Sequence, residues 1–293
     1  MATTPSIVCD FGNHTGEGPL WHPEQDSLYW VDIPKGALYR YHPETGNHGR
    51  VYKTDMIGGF TIQDDGNILL FESDGKIEIY DVEQEETNVI VQKINQGYHF
   101  NDVIADPEGR VFCGTKRNDT LMGNFYRLDV DGSLHKLRED VNLSNGLGFN
   151  GEENLLYHTE SGRSKIWKFD YDRTTGELSN KSVFIDVENE QGFPDGMTVD
   201  NNDDIWSARW NGGCLVRYSP SGKELGRVEF PAQKVSSLTF GGEDYETAYV
   251  TTALGPGESG KRSKQQEGSG AGAVFEVDLG VGGRAEYRSR IHM

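Results

Sequence analysis

A three-part phrase recurs six times along this chain of 293 residues. Each copy opens on a short apolar run that ends in a turn: PLWHPEQD from Pro19, FTIQDDGN from Phe60, VIADPEGR from Val103, LGFNGEEN from Leu147, MTVDNNDD from Met197 and LTFGGEDY from Leu238. An apolar segment follows (SLYWVDI, ILLFES, RVFCGTK, LLYHTES, DIWSARW, AYVTTAL). The third part is an alternating segment such as ALYRYHPETG, KIEIYDVE or KIWKFDYDRTTG. Just upstream of each opening run, five residues before its turn begins, one column holds Glu17, Gly58, Asn101, Asn145, Asp195 and Ser236.

Repeats of this length built only from short strands and turns indicate a propeller, because helical repeats need stretches of 3.6-residue periodicity and none is visible here. GRVYKTD, TNVIVQK, LHKLRED, SVFIDVE and GRVEFP supply fourth strands for the first five repeats. The sixth repeat lacks one unless the amino-terminal SIVCDF provides it, with AEYRSRI near the carboxyl end as the competing candidate. Pairing of the two chain ends would remove two sheet edges that otherwise invite aggregation. The expectation is an all-β, six-bladed β-propeller closed by its N- and C-terminal strands, a single domain over residues 1–293.

Composition narrows the function. No apolar run reaches the ~20 residues needed to cross a bilayer, and the amino terminus lacks the basic segment and apolar core of a signal peptide, so a cytoplasmic protein is expected. The net charge of −19 opposes nucleic acid and anionic membrane as partners. It otherwise reads as solubility, with adaptation to high salt as the alternative that folding at low and high salt would separate. Cys9, Cys113 and Cys214 show neither metal-ligand nor redox spacing and read as buried free thiols.

In a propeller the first strand of each blade lines the central channel, which would set the six-residue column around one channel mouth. The long segments Lys116 to Asn124 and Gly255 to Gly272 would overhang the same mouth. Carboxylates crowded in a partly dehydrated place repel unless a cation satisfies them. Glu17, Asn145 and Asp195 offer two anionic oxygens and one neutral one, a set suited to calcium, magnesium, manganese or iron(II), with zinc also accommodated. So few protein ligands leave positions for water or substrate, as a catalytic metal requires. Asn101 and Ser236 would contact either metal or substrate. Glu17 is the most telling member, since Glu has no turn chemistry of its own to explain it. Of the histidines, His14, His22, His42, His48 and His135 read as solvated turn residues and His158 as structural. His99, two residues before Asn101, could donate a hydrogen bond to substrate. Glycines from Gly268 to Gly272 read as flexible linker.

GEGPLW at Gly16, FNDVIADPEGRVFCGT at Phe100, SNGLGF at Ser144, PDGMTVD at Pro194, WNGGCLVRYSPSG at Trp210 and SLTFGG at Ser237 together resemble the gluconolactonase, regucalcin and luciferin-regenerating-enzyme family over the whole chain. The resemblance implies a six-bladed propeller with one divalent cation, calcium foremost, held by Glu17, Asn145 and Asp195. It implies hydrolysis of sugar lactones, gluconolactone or a pentonolactone, with Asn101 reaching the substrate. Two departures stand out. His99 occupies the place where many members carry Arg, and Asp119 in the third-blade loop stands where some carry Glu; both positions contact sugar hydroxyls in family members.

Opening a cyclic ester needs a polarised carbonyl, an activated water and a proton for the departing ring oxygen. Asp195 is the expected base, and activation of water directly by the cation is the alternative. A related propeller esterase or phosphotriesterase, or a non-enzymatic metal-binding platform, would use the same fold differently.

Overall fold

The computed structural model describes residues 4–94, 99–255 and 263–292. It is built almost wholly from strands. Along the chain, β1 is Ser6–Asp10, and β2 to β5 (Gly16–His22, Ser27–Asp32, Ala37–His42, Asn47–Lys53) form the first four-stranded meander. The next is β6 to β9 (Ile57–Ile62, Ile68–Glu72, Ile77–Asp81, Glu86–Val91), followed by β10 to β13 (His99–Ala105, Val111–Lys116, Gly123–Leu128, Leu134–Val141) and β14 to β17 (Ser144–Phe149, Leu155–Glu160, Lys165–Asp172, Glu177–Asp186). Then come β18 to β21 (Phe193–Val199, Ile205–Trp210, Cys214–Tyr218, Glu224–Glu229) and β22 to β24 (Lys234–Gly241, Thr247–Ala253, Ala273–Asp278). These last two groups count as one eight-stranded sheet together with β1, joined through a Trp210–Lys234 bridge. The architecture is all-β and propeller-like.

The chain divides into two compact units. The first is Met1–Thr54 with Val187–Ala285, and the second is Asp55–Asp186 with Glu286–Met293. The first unit settles how its last sheet is completed. SIVCD takes the outer place, with Ile7 opposite Phe275 and Cys9 opposite Val274 in an antiparallel pairing of β1 with β24. AEYRSRI does not compete for it. In the second unit its Ser289 bridges Gln63 beyond the end of β6, with the Ser289 and Thr61 hydroxyls 2.7 Å apart and the Gln63 amide donating to the Ile291 carbonyl at 3.0 Å.

Burial follows strand order within each meander. The second strands, SLYWVD and ILLFE, are buried at every residue, as expected of strands covered on both faces. The third strand ALYRYH is mostly buried, with Arg40 exposed, and fourth strands such as NHGRVYK are largely exposed. In the first unit the core gathers Trp30, Tyr39, Trp206, Val250 and Phe275; in the second it gathers Phe71, Phe100, Phe112, Phe125 and Phe149. The three cysteines are free and buried, and burial pushes the Cys9 thiol up to about 12.

Two sequence expectations fail. The glycines from 268 to 272 are not a linker: a Cβ on Gly270 would lie 2.4 Å from the Phe275 ring and one on Gly272 2.8 Å from the Asn13 nitrogen, so the run is packed and glycine is needed for the close approach. The segment 256–262 of the same loop lies outside the described residues. His22 is buried rather than solvated, with its Nδ1 3.1 Å from a Glu24 carboxylate oxygen.

Candidate functional site

Every column residue sits at a break in strand register. Between Glu17 and Leu20, Ile57 and Gly59, Phe100 and Val103, Ser144 and Leu147, Pro194 and Met197, and Val235 and Ser237, the first strand of the group slips against the second. An extra residue in one strand re-aims a side chain that strict alternation would send elsewhere, and such bulges recur beside active sites. The repeat in sequence is therefore a repeat of backbone irregularity.

In the first unit the column contributes Glu17, Asp195 and Ser236, all buried. The glycines flanking Glu17 have different reasons. A Cβ on Gly16 would meet the Thr252 carbonyl oxygen at 2.8 Å, whereas Gly18 has φ +52°, and its N–H donates to the Glu17 carboxylate at 3.1 Å. Ser236 resolves as a brace: its hydroxyl donates to the Gly16 carbonyl at 2.5 Å and lies 3.0 Å from the Thr251 hydroxyl. It thereby fixes the backbone one residue before Glu17. Gly196, next to Asp195, lets β18 approach β22, since a Cβ there would lie 2.2 Å from the Ser237 hydroxyl. Asp32, which the sequence did not single out, is wholly buried. Its carboxylate accepts the His14 and Thr15 N–H groups at 2.9 and 3.1 Å and pairs with Lys35 at 2.8 Å, holding the approach to β2.

In the second unit the column contributes Gly58, Asn101 and Asn145. The Asn101 amide donates to the Ser144 carbonyl at 2.8 Å and to Asn145 Oδ1 at 2.5 Å. The Asn145 amide nitrogen in turn donates to the Ser161 hydroxyl at 2.7 Å, which fixes its oxygen as the accepting end. Beneath Asn145, Ser144 Oγ lies 2.8 Å from Nε2 of the wholly buried His158, whose pKa burial lowers to about 3. Gly58 is a gap by necessity: a Cβ there would sit 2.0 Å from the Phe100 carbonyl oxygen.

His99 is half-buried at the start of β10, and its Nδ1 has no hydrogen-bond partner among the described residues. Burial lowers its pKa, the Lys116 charge lowers it further, and Asp74 opposes the shift. Asp119 stays exposed in the segment after β11, where the Asn118 side chain accepts the Thr120 and Leu121 N–H groups in a local turn. Asp102 was not anticipated. With Asn101 it forms the bulge opposite Gly114, its Oδ1 accepts the Val103 N–H at 2.8 Å, and burial pushes its carboxyl up to about 6. The signal lay in the Asn-Asp pair, where a bulge lets both neighbours leave the strand's alternation.

As donor types, two buried carboxylates and an amide oxygen with a fixed orientation fit a hard divalent cation. No group of three or more His, Cys, Asp or Glu side chains gathers among the described residues, so the fit depends on the mixed set rather than on an acidic cage. Also among the described residues, no helix is long and apolar enough to cross a membrane.

The propeller-like fold, with bulged-column acids in one unit and bulged-column amides in the other, belongs to a class with known relatives. Residues 15–254 match the family model described as the SMP-30/Gluconolactonase/LRE-like region, and the chain belongs to that family. It is similar to pentonolactonase XacC of Haloferax volcanii, 44% identical over 292 residues, 99% of each chain. It is also similar to rabbit (Oryctolagus cuniculus) regucalcin, 32% identical with 94% of each covered. Among solved structures, the calcium-binding protein regucalcin of Agrobacterium tumefaciens superposes with a TM-score of 0.90 at 24% identity, covering 97% of both chains, and shares the fold.

Proposed function

We propose that this protein hydrolyses a sugar lactone to the open-chain aldonic acid with the help of one divalent cation, and that its substrate is a pentonolactone. The observation that carries the reading is the similarity to the Haloferax pentonolactonase along the full length of both chains. The family's propeller supports a single six-bladed ring as the working architecture, with the eight-stranded sheet counting as two blades. Glu17, Asn145 and Asp195 would hold the cation, with calcium the first candidate, given the relative described as calcium-binding. When bound, the cation supplies Lewis-acid polarisation of the lactone carbonyl. Asp195 takes a proton from the attacking water at a carboxylate oxygen and returns it to the ring oxygen as the ester bond breaks. Asn101 holds Asn145 in place through its amide and offers its own oxygen to a sugar hydroxyl. His99 and, from the loop, Asp119 would contact the remaining hydroxyls.

The test is acid release from xylono-, arabinono-, galactono- and gluconolactone by chelator-treated protein, with single cations restored one at a time. The expected result is acceleration over spontaneous opening only with metal present, largest for a pentonolactone. Spontaneous rates with every lactone and every cation would overturn the reading. Replacing Asp195 by Asn with metal occupancy verified isolates the base: retained high activity would remove Asp195 from that role.

A further inference from the structure

In the second unit, Lys116 occupies a position the proposed reaction leaves unexplained. At the end of β11 it stands directly opposite His99 in the antiparallel pairing with β10, and on its other side it bridges Leu143. Each of these neighbours lies two residues before a column amide, His99 before Asn101 and Leu143 before Asn145. The Arg117 N–H donates to the Asn142 carbonyl at 2.8 Å and fixes the segment just past this point. Residues directly opposed across an antiparallel pair project to the same face, with their Cβ atoms about 5 Å apart. Lys116 and His99 therefore form one cross-strand pair beside the amides.

Neither side chain has what its chemistry requires. The Lys116 ammonium is half-buried, and no carboxylate among the described residues offsets the cost of its desolvation. His99 carries a buried Nδ1 with no hydrogen-bond partner among the described residues. Lysine brings three donors and no acceptor, while a neutral imidazole brings one donor and one acceptor. Burial and the Lys116 charge both favour the neutral form of the His99 ring, with Asp74 opposing. Adjacent hydroxyls, each a donor and an acceptor, match this set. A carboxylate would leave the imidazole's acceptor nitrogen facing another acceptor.

We propose that Lys116 is a specificity-determining residue of the lactone site, its ammonium and the His99 ring together gripping two neighbouring hydroxyls of the sugar lactone. The proposal rests on the lactonase reading and deepens it. The experiment measures kcat/KM for the metal-loaded wild type, Lys116→Met and Lys116→Arg on one pentonolactone and on its single-deoxy analogues. A hydrogen bond from a charged donor corresponds to roughly 10- to 100-fold in affinity. Lys116→Met should lose about that factor on the full lactone, through KM, and change by less than about twofold on the analogue lacking the gripped hydroxyl. Lys116→Arg should recover discrimination, and unaltered melting temperatures would separate this from unfolding. Equal losses on both substrates, or no loss on either, would overturn the role of Lys116 alone. A wild type preferring carboxylate-bearing lactones, with that preference lost in Lys116→Met, would overturn the hydroxyl assignment. An inactive wild type would overturn the lactonase reading and the proposal together.

Discussion

The two units answer the same repeat with different chemistry. In the first, the three column residues are Glu17, Asp195 and Ser236; in the second they are Gly58, Asn101 and Asn145. The first unit carries all the column's negative charge, and a hydroxyl braces the backbone beside one of its acids. The second carries neutral amides linked to each other and to Ser161. On the proposed reading, the contrast separates two tasks that a metal hydrolase must perform. Charge attracts and holds a cation, while oriented amides set direction without adding repulsion.

Exchanging charge for shape tests that division most severely. Glu17→Gln keeps the side-chain size and removes the charge; it should lower metal-dependent turnover about 10³-fold, with weakened cation binding by calorimetry. Asn101→Ala in the second unit should cost only about 10- to 100-fold, as expected of a residue that orients a ligand. Similar losses for both would break the division. Packing gives a second comparison. Gly58→Ala drives a methyl into the Phe100 backbone, and Gly196→Ala drives one chiefly toward the Ser237 side chain, which can rotate. Chemical denaturation should show about 2–3 kcal/mol lost for Gly58→Ala and less for Gly196→Ala.

A smaller effect lies in the second unit alone. Burial and the neighbouring Glu78 push the Glu72 carboxyl from 4.5 to about 7, with Lys76 opposing. The folded form holds this proton more tightly than the unfolded chain, so the contribution to stability is complete below pH 4.5 and declines as pH rises to about 7. Glu72→Gln should therefore melt a few degrees higher than wild type at pH 8 and nearly the same at pH 4.5. An equal shift at both pH values would assign the change to packing.

The meanders were legible in the sequence because period-two alternation and turn residues survive without tertiary information. The column was legible for the same reason, but its bulges were not, since an extra residue in one strand leaves no mark until the partner strand is known. Ser236 looked like a candidate ligand because its type fits one; only its bond to the Gly16 carbonyl shows it bracing backbone. The glycines near 270 misled because loose linkers and tight backbone contacts use the same residue. Lys116 was read only as the start of the long segment running to Asn124, and the bridges to His99 and Leu143 are what set it beside the amides.

The pairing of β1 with β24 also schedules the birth of the molecule. A ribosome adding about 5–20 residues per second finishes the contiguous stretch of the second unit while Ser6–Asp10 still lacks its partner. That strand must remain unpaired for on the order of tens of seconds, until Ala273–Asp278 emerges. Its small size and flanking polar residues, Ser6 and Asp10, suit a segment that has to wait without sticking to other chains. Moving it to the carboxyl end by circular permutation should shorten the wait and leave fewer aggregates during synthesis.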